Sequence, residues 1–198
     1  MLLLYAIPIG LLIGLAAGGR LGLLGQVRIR WWPLAIGGLL FQLVLFSRPV
    51  ASVVGEAGPA LYVGSTLVVL VALLANLGQP GFRLIFAGAL LNMLVVGLNG
   101  GQMPASPEAL QAVFGTPNVP VDHFSNSVVA GPGTALAFLG DIFVLPPPFP
   151  AANVFSIGDV LIGAGGVWFI VRTMRGADQP ASPIAAGSTA PSASSLRA

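Results

Sequence analysis

Apolar residues in this chain come in long, nearly uncharged runs rather than in alternating or helical stripes. The runs cover about residues 2–19, 31–47, 59–77, 82–98 and 155–171. Each approaches the length a helix needs to cross a bilayer at about 1.5 Å per residue. Polar punctuation separates them. Arg20, Arg28 and Arg30 follow the first run, and Trp31 and Trp32 open the second at a depth where indoles favour the headgroups. Ser47, Arg48 and Pro49 close the second run, and a Gly/Ala/Pro turn carrying Glu56 leads into the third. Asn76, Gly78, Gln79, Pro80 and Gly81 form a tight connection to the fourth, which ends at Asn99, Gly100 and Gly101.

Residues 99–154 make the one long region without a span. Within it, Ser106 and Pro107 have the cap and first-turn chemistry of a short helix running to Phe114. Residues 134–143 are apolar enough to dip into a membrane interface and too short to cross it. After Gly176 the chain is rich in Ala, Ser, Pro and Gly, a composition that cannot bury enough apolar surface to order itself. The pattern therefore predicts an all-α integral membrane protein of five transmembrane helices with a cap on its outer face. The membrane domain covers 1–175, the external loop 99–154, and a disordered cytoplasmic tail 176–198. Gly10, Gly14 and Gly18 predict a smooth ridge on the first helix for close contact with another. No basic region precedes the first run and no clear cleavage site follows it, which favours a retained span over a cleaved signal peptide.

Composition supports the bilayer as solvent. The chain is 56% hydrophobic and 7% charged, against about a quarter charged in a soluble domain, so it has too few polar side chains to cover a water-facing surface. Charge placement then orients it. With the 20–30 loop inside, Arg20, Arg28, Arg30, Arg83, Arg172, Arg175 and Arg197 all fall inside, and only Arg48 falls outside. The predicted topology is N-terminus out and C-terminus in. The lipid bilayer is the first partner, and a membrane-protein partner or a second copy is left open. No nucleic-acid partner is expected, because the arginines are not clustered with stacking aromatics. Cysteine is absent, which excludes disulfides, thiolate metal centres and cysteine nucleophiles. Serine elbows, phosphate loops and dinucleotide fingerprints are also missing, and no cofactor is expected.

Candidate chemistry gathers in two aspartates. Asp141 and Asp159 each follow a glycine and precede an apolar run, and Pro146, Pro147 and Pro148 stiffen the connection between them. As a pair they form a candidate catalytic dyad, one carboxyl acting as base on a water and the other as acid. Taken singly they are helix caps, with Ser156 or Asp159 satisfying the N-terminus of the last helix. Asn92 and Asn99 lie two turns apart on one face of the fourth helix. Asn92 is a candidate binding residue or an interhelical hydrogen bond, and Asn99 a binding residue or a helix C-cap. Ser156 and His123 complete the candidate binding set. Asp122, His123, Asp141 and Asp159 are of metal-ligating type, yet nothing in their spacing demands an ion, and no metal is predicted.

Two resemblances add to this reading. Leu91, Asn92 and Met93, the stretch from Asn99 to Pro104, Leu139 to Ile142, and Phe155 to Ile162 together resemble a family of bacterial membrane proteins known only as a domain of unknown function. Membership implies a bacterial cytoplasmic membrane and no activity. More locally, residues 153–165 and 88–93 are similar to signal peptidase II, the lipoprotein-processing aspartyl peptidase. That likeness implies a catalytic aspartate at Asp159, a partner at Asp141 and an outward-facing site. Ser156 stands where that family has Asn, Gly158 where it has Ala, and Val95 and Val96 where it has an Asp-Arg pair. The expected function is a non-catalytic accessory or scaffold component of unknown molecular role. An aspartyl peptidase-like hydrolase is the alternative. A small-solute or ion carrier is a further one, against which no acid or broken helix lies near mid-membrane.

Overall fold

A computed structural model describes residues 3–118 and 126–176. Asp122, His123 and the tail from residue 177 lie outside the described residues. The five apolar runs each form a helix: α1 (Leu3–Ala16), α2 (Trp32–Leu45), α4 (Gly58–Leu74), α5 (Phe82–Leu98) and α7 (Ile157–Met174). Two shorter α-helices, α3 (Arg48–Val54) and α6 (Pro107–Phe114), complete the set among the described residues. The segment after Arg48, read from sequence as a turn, is therefore helical. Helix ends follow local chemistry. Gly18 after α1 and Gly100 and Gly101 after α5 take positive φ values, which glycine adopts without a Cβ penalty.

The long helices pack in the order α1, α7, α5, α4, α2. Close approaches show how they run. Gly10 faces Ile170 and Gly14 faces Met174, so α1 and α7 are parallel. Gly81 faces Gly165 and Gly88 faces Gly158, so α5 is antiparallel to α7. Gly38 meets Val69, Gln42 bonds Ser65 and Thr66, and Phe46 meets Tyr62, so α2 is antiparallel to α4. The glycine ridge of α1 is real at Gly10 and Gly14 but not at Gly18. The helix has already ended there, and Gly19 lies against Met174 instead.

The tightest seam joins α5 to α7, where glycines spaced seven residues apart on each helix meet backbone to backbone. A Cβ on Gly165 would stand 2.6 Å from the Gly81 carbonyl oxygen, and one on Gly158 2.6 Å from that of Gly88. Side chains cannot intervene there, so the helices approach as closely as their main chains allow.

Two helical stretches, Gly55–Leu74 and Ile157–Met174, are long and apolar enough to cross a membrane. The other three long helices are apolar and shorter. At one end of the bundle the Arg20 N–H donates to the Met174 carbonyl at 2.8 Å, and Asn76 brackets the backbone of Arg30 with two hydrogen bonds. These contacts hold the Arg20 connection to the end of α7, whose last turn and cap carry Arg172 and Arg175, and the connection carrying Arg28 and Arg30 to the end of α4.

The other end is closed by a cap, and here the all-helical expectation needs correction. Among the described residues the cap contains four three-residue strands: β1 (Met103–Ala105), β2 (Ser127–Val129), β3 (Phe143–Leu145) and β4 (Asn153–Phe155). β1 pairs in parallel with β2, β3 pairs antiparallel with β4, and Asp141 bridges to Ala105. Prolines and glycines keep helices short in this region, and Val128, Val129, Val144 and Val154 suit extended backbone. Ala105, Ala109, Leu110, Val113 and Val154 form the cap's own core, with α6 capped at Ser106 as its spacing predicts. The stretch 134–143 becomes a turn of 3-10 helix and an extended edge. Leu136 and Leu139 settle on Val95, Val96 and Met103 at the end of α5.

Candidate functional site

The seam between α5 and α7 ends, under the cap, in three polar side chains. Ser156 precedes α7 in extended conformation, and its hydroxyl accepts the Asp159 N–H at 3.0 Å. The Asp159 carboxylate returns the bond, Oδ2 accepting the Ser156 N–H at 3.1 Å. This reciprocal box satisfies two donors that a helix start leaves open and sets a negative charge at the positive end of the helix dipole. Asn92 reaches across from α5 and closes the arrangement. Its Nδ2 donates to Asp159 Oδ1 at 3.0 Å, and its Oδ1 accepts from the Ser156 hydroxyl at 2.8 Å. Gly158 makes the reach possible, since a Cβ there would collide with Asn92 Oδ1. Ser156 is fully buried.

Asp141 approaches from the cap. Its N–H donates to the Pro104 carbonyl at 2.8 Å and its own carbonyl accepts the Ser106 N–H at 3.0 Å. Gly140 lets the strands close, because a Cβ at that position would meet the Pro104 oxygen. The Asp141 side chain is buried and feels the charge of Asp159. Burial first, and that neighbouring charge second, push its pKa from 3.8 to about 7.

One residue that the sequence reading passed over joins this group. Tyr62 of α4 is electrostatically coupled to both aspartates, and the side chains of Asn126 and Thr66 lie within hydrogen-bond reach of its hydroxyl. A tyrosine one turn into an apolar run, followed by Ser65 and Thr66, was the available signal. Asn99 stands apart from the pair and works as a clip. Its Nδ2 donates to the carbonyls of Val95 and Ala135, and its Oδ1 accepts the Ala135 N–H, fixing the cap to the end of α5. His123, with Asp122, lies outside the described residues. Among the described residues no three His, Asp or Glu side chains group as metal ligands.

Chemically the arrangement has two aspects. Asp159 is held in one orientation by two donors, which makes it a clasp between helices. Asp141, its pKa pushed up to about 7 by burial first and by the charge of Asp159 second, keeps a proton available near neutrality.

Fold and site together define a bundle of apolar helices, sealed at one end by a mixed cap and locked beneath it by a polar clasp. The chain belongs to the family of unknown function DUF5317, whose profile matches residues 26–171 and so includes every candidate residue placed above. It is also similar to an uncharacterized protein of Thermotoga maritima, 30% identical over 105 residues. That match covers 53% of this chain and 59% of the relative, less than two thirds of the relative's length. No solved structure matches. The molecular function of the family is unknown, in keeping with the resemblance read from the motifs.

Proposed function

We propose that this chain is a five-span protein of the bacterial cytoplasmic membrane, and that it serves as a non-catalytic scaffold or accessory component. Its N-terminus and cap lie outside and its C-terminus inside. The observation that carries the scaffold reading is the closed ring of Asn92, Ser156 and Asp159, which commits the best-placed carboxylate to holding helices together. Helix directions support the topology, with α1, α4 and α7 running one way and α2 and α5 the other. The connections carrying Arg20, Arg28 and Arg30 and the end of α7 carrying Arg172 and Arg175 lie away from the cap, as the positive-inside rule asks, with Arg48 the exception. α2 has 14 residues, about 21 Å of helix, so local thinning of the bilayer accompanies this reading. Reporter fusions after Arg175 are expected to behave as cytoplasmic, and fusions at Gln111 as external. An external signal at Arg175 would remove the orientation and the odd number of spans together.

A second reading, an aspartyl hydrolase acting on peptides at the outer face, is favoured by one observation. Burial and the charge of Asp159 push the Asp141 pKa up to about 7. The two readings part on conservative variants. For a scaffold, Asp159→Asn sets an amide donor against one of the two donors now bonded to the carboxylate, and thermal stability in detergent falls by about 1–3 kcal/mol. Asn92→Ala behaves likewise. For a hydrolase, Asp141→Asn and Asp159→Asn each abolish cleavage of a lipoprotein precursor while the melting curve barely moves. Cleavage by the wild-type chain that both variants lose with the fold intact would replace the scaffold reading.

A further inference from the structure

Between Asp141 and Asp159 the chain runs seventeen residues without a charge, and Asn153 and Ser156 are its only polar side chains. Ser156 is consumed by the clasp. The β3–β4 hairpin occupies the middle of this stretch, and its tip, Pro146, Pro147, Pro148, Phe149, Pro150 and Ala151, is exposed along its whole length. Phe149 is 54% exposed and Phe143, stacked on Phe155, 40%. An apolar tip of this kind is disfavoured in water unless something covers it. One contact indicates what does. The Tyr5 hydroxyl of α1 donates to the Pro150 carbonyl, which pins the tip beside the first turn of α1. From that turn onward α1 presents Leu4, Ile7, Leu12 and Leu15 outward. The hairpin tip and the apolar flank of α1 are thus one continuous surface.

We infer that the β3–β4 hairpin is an interfacial anchor, with Phe149 inserted among the headgroups and upper acyl chains of the outer leaflet and the tip lying flat against the bilayer. The partner is the lipid surface itself. No basic side chain lies on the tip, so contact rests on apolar burial and not on anionic headgroups. Tyr5 sits at the same level, where an aromatic ring with a polar end is at home. The cap is held to the membrane on one side by this hairpin and to the bundle on the other by Asn99.

This inference rests on the five-span reading, and its test separates the two. The chain has no cysteine, so single cysteines can be labelled in the full-length protein with an environment-sensitive fluorophore. Three sites suffice in phosphatidylcholine nanodiscs: Phe149→Cys at the tip, Leu12→Cys on the exposed flank of α1, and Gln111→Cys on the exposed face of α6. The label at 149 is expected to emit to the blue and to lose most of its emission to doxyl lipid labelled near the headgroup. It should also resist aqueous iodide, to which the label at 111 is open. The label at 12 should respond to doxyl groups deeper in the acyl chains. Iodide access at 149 with lipid quenching at 12 overturns the hairpin anchor and leaves the bundle in the bilayer. Iodide access at both 149 and 12 overturns the five-span reading as well.

Discussion

Gly158→Ala is expected to destabilise the bundle by about 3 kcal/mol, near the upper end of what overpacking a well-packed contact costs. Its new methyl group would stand where Asn92 Oδ1 now lies and 2.6 Å from the Gly88 carbonyl. Neither atom can yield cheaply. The carbonyl belongs to the α5 main chain, and Asn92 can turn aside only by giving up Ser156 and Asp159. The helices must separate, and the clasp opens with them. Gly97→Ala on α5 is the matched control, because nothing lies within 4 Å of the position its Cβ would take. That change should be neutral or stabilising by up to about 1 kcal/mol, since alanine loses less backbone entropy than glycine in a helix. Denaturation in mixed detergent micelles measures both. Equal and small effects at 158 and 97 would show that the α5–α7 seam is not a close backbone contact.

Stability is expected to fall as pH rises from about 4 to above 7, and Asp141→Asn should remove most of that slope. Folding raises the Asp141 pKa from 3.8 to about 7. Between those values the folded chain holds a proton that the unfolded chain has released. The stabilisation associated with that proton is complete below 3.8 and lost as pH climbs through 7. At about 1.4 kcal/mol for each pH unit the loss is at most about 4 kcal/mol. The sign is opposite to that of a carboxylate held by a cation, whose contribution disappears on acidification. Asp141→Asn places a neutral group in the same volume, so its melting temperature should change little across this range and exceed the wild type's at pH 8. A wild-type profile that rises toward pH 7, or a variant with an unchanged slope, would mean that Asp141 keeps its charge when folded.

Much of the bundle is readable in the sequence, for a definite reason. A helix carries its own backbone hydrogen bonds, so a sufficiently long apolar run without punctuation declares it locally. Arg20, Gly81 and Asn99 mark its ends. The run of α5 was placed to the residue, and Ser106 and Pro107 announced α6 in the same local way. The cap strands were not legible. Each is three residues long and owes its bonds to a partner up to about two dozen residues away, as Met103 does to Ser127. No local period records such a pairing.

Within the candidate site the same division holds. Ser156 followed three residues later by Asp159 could be read as a helix start, because a capping box lies within one turn. That Asn92 completes it depends on the crossing of α5 and α7, which the glycines at 81, 88, 158 and 165 permit. The sequence thus determined the five long helices and α6, though not α3, along with the Ser106 and Ser156 caps and where the charges lie, all properties of near neighbours along the chain. Tertiary structure alone decided which glycines touch, that Asp141 is buried where the charge of Asp159 acts on it, and that Asn92 reaches Ser156 and Asp159. Those are distances between segments, and they follow from packing that no single segment encodes.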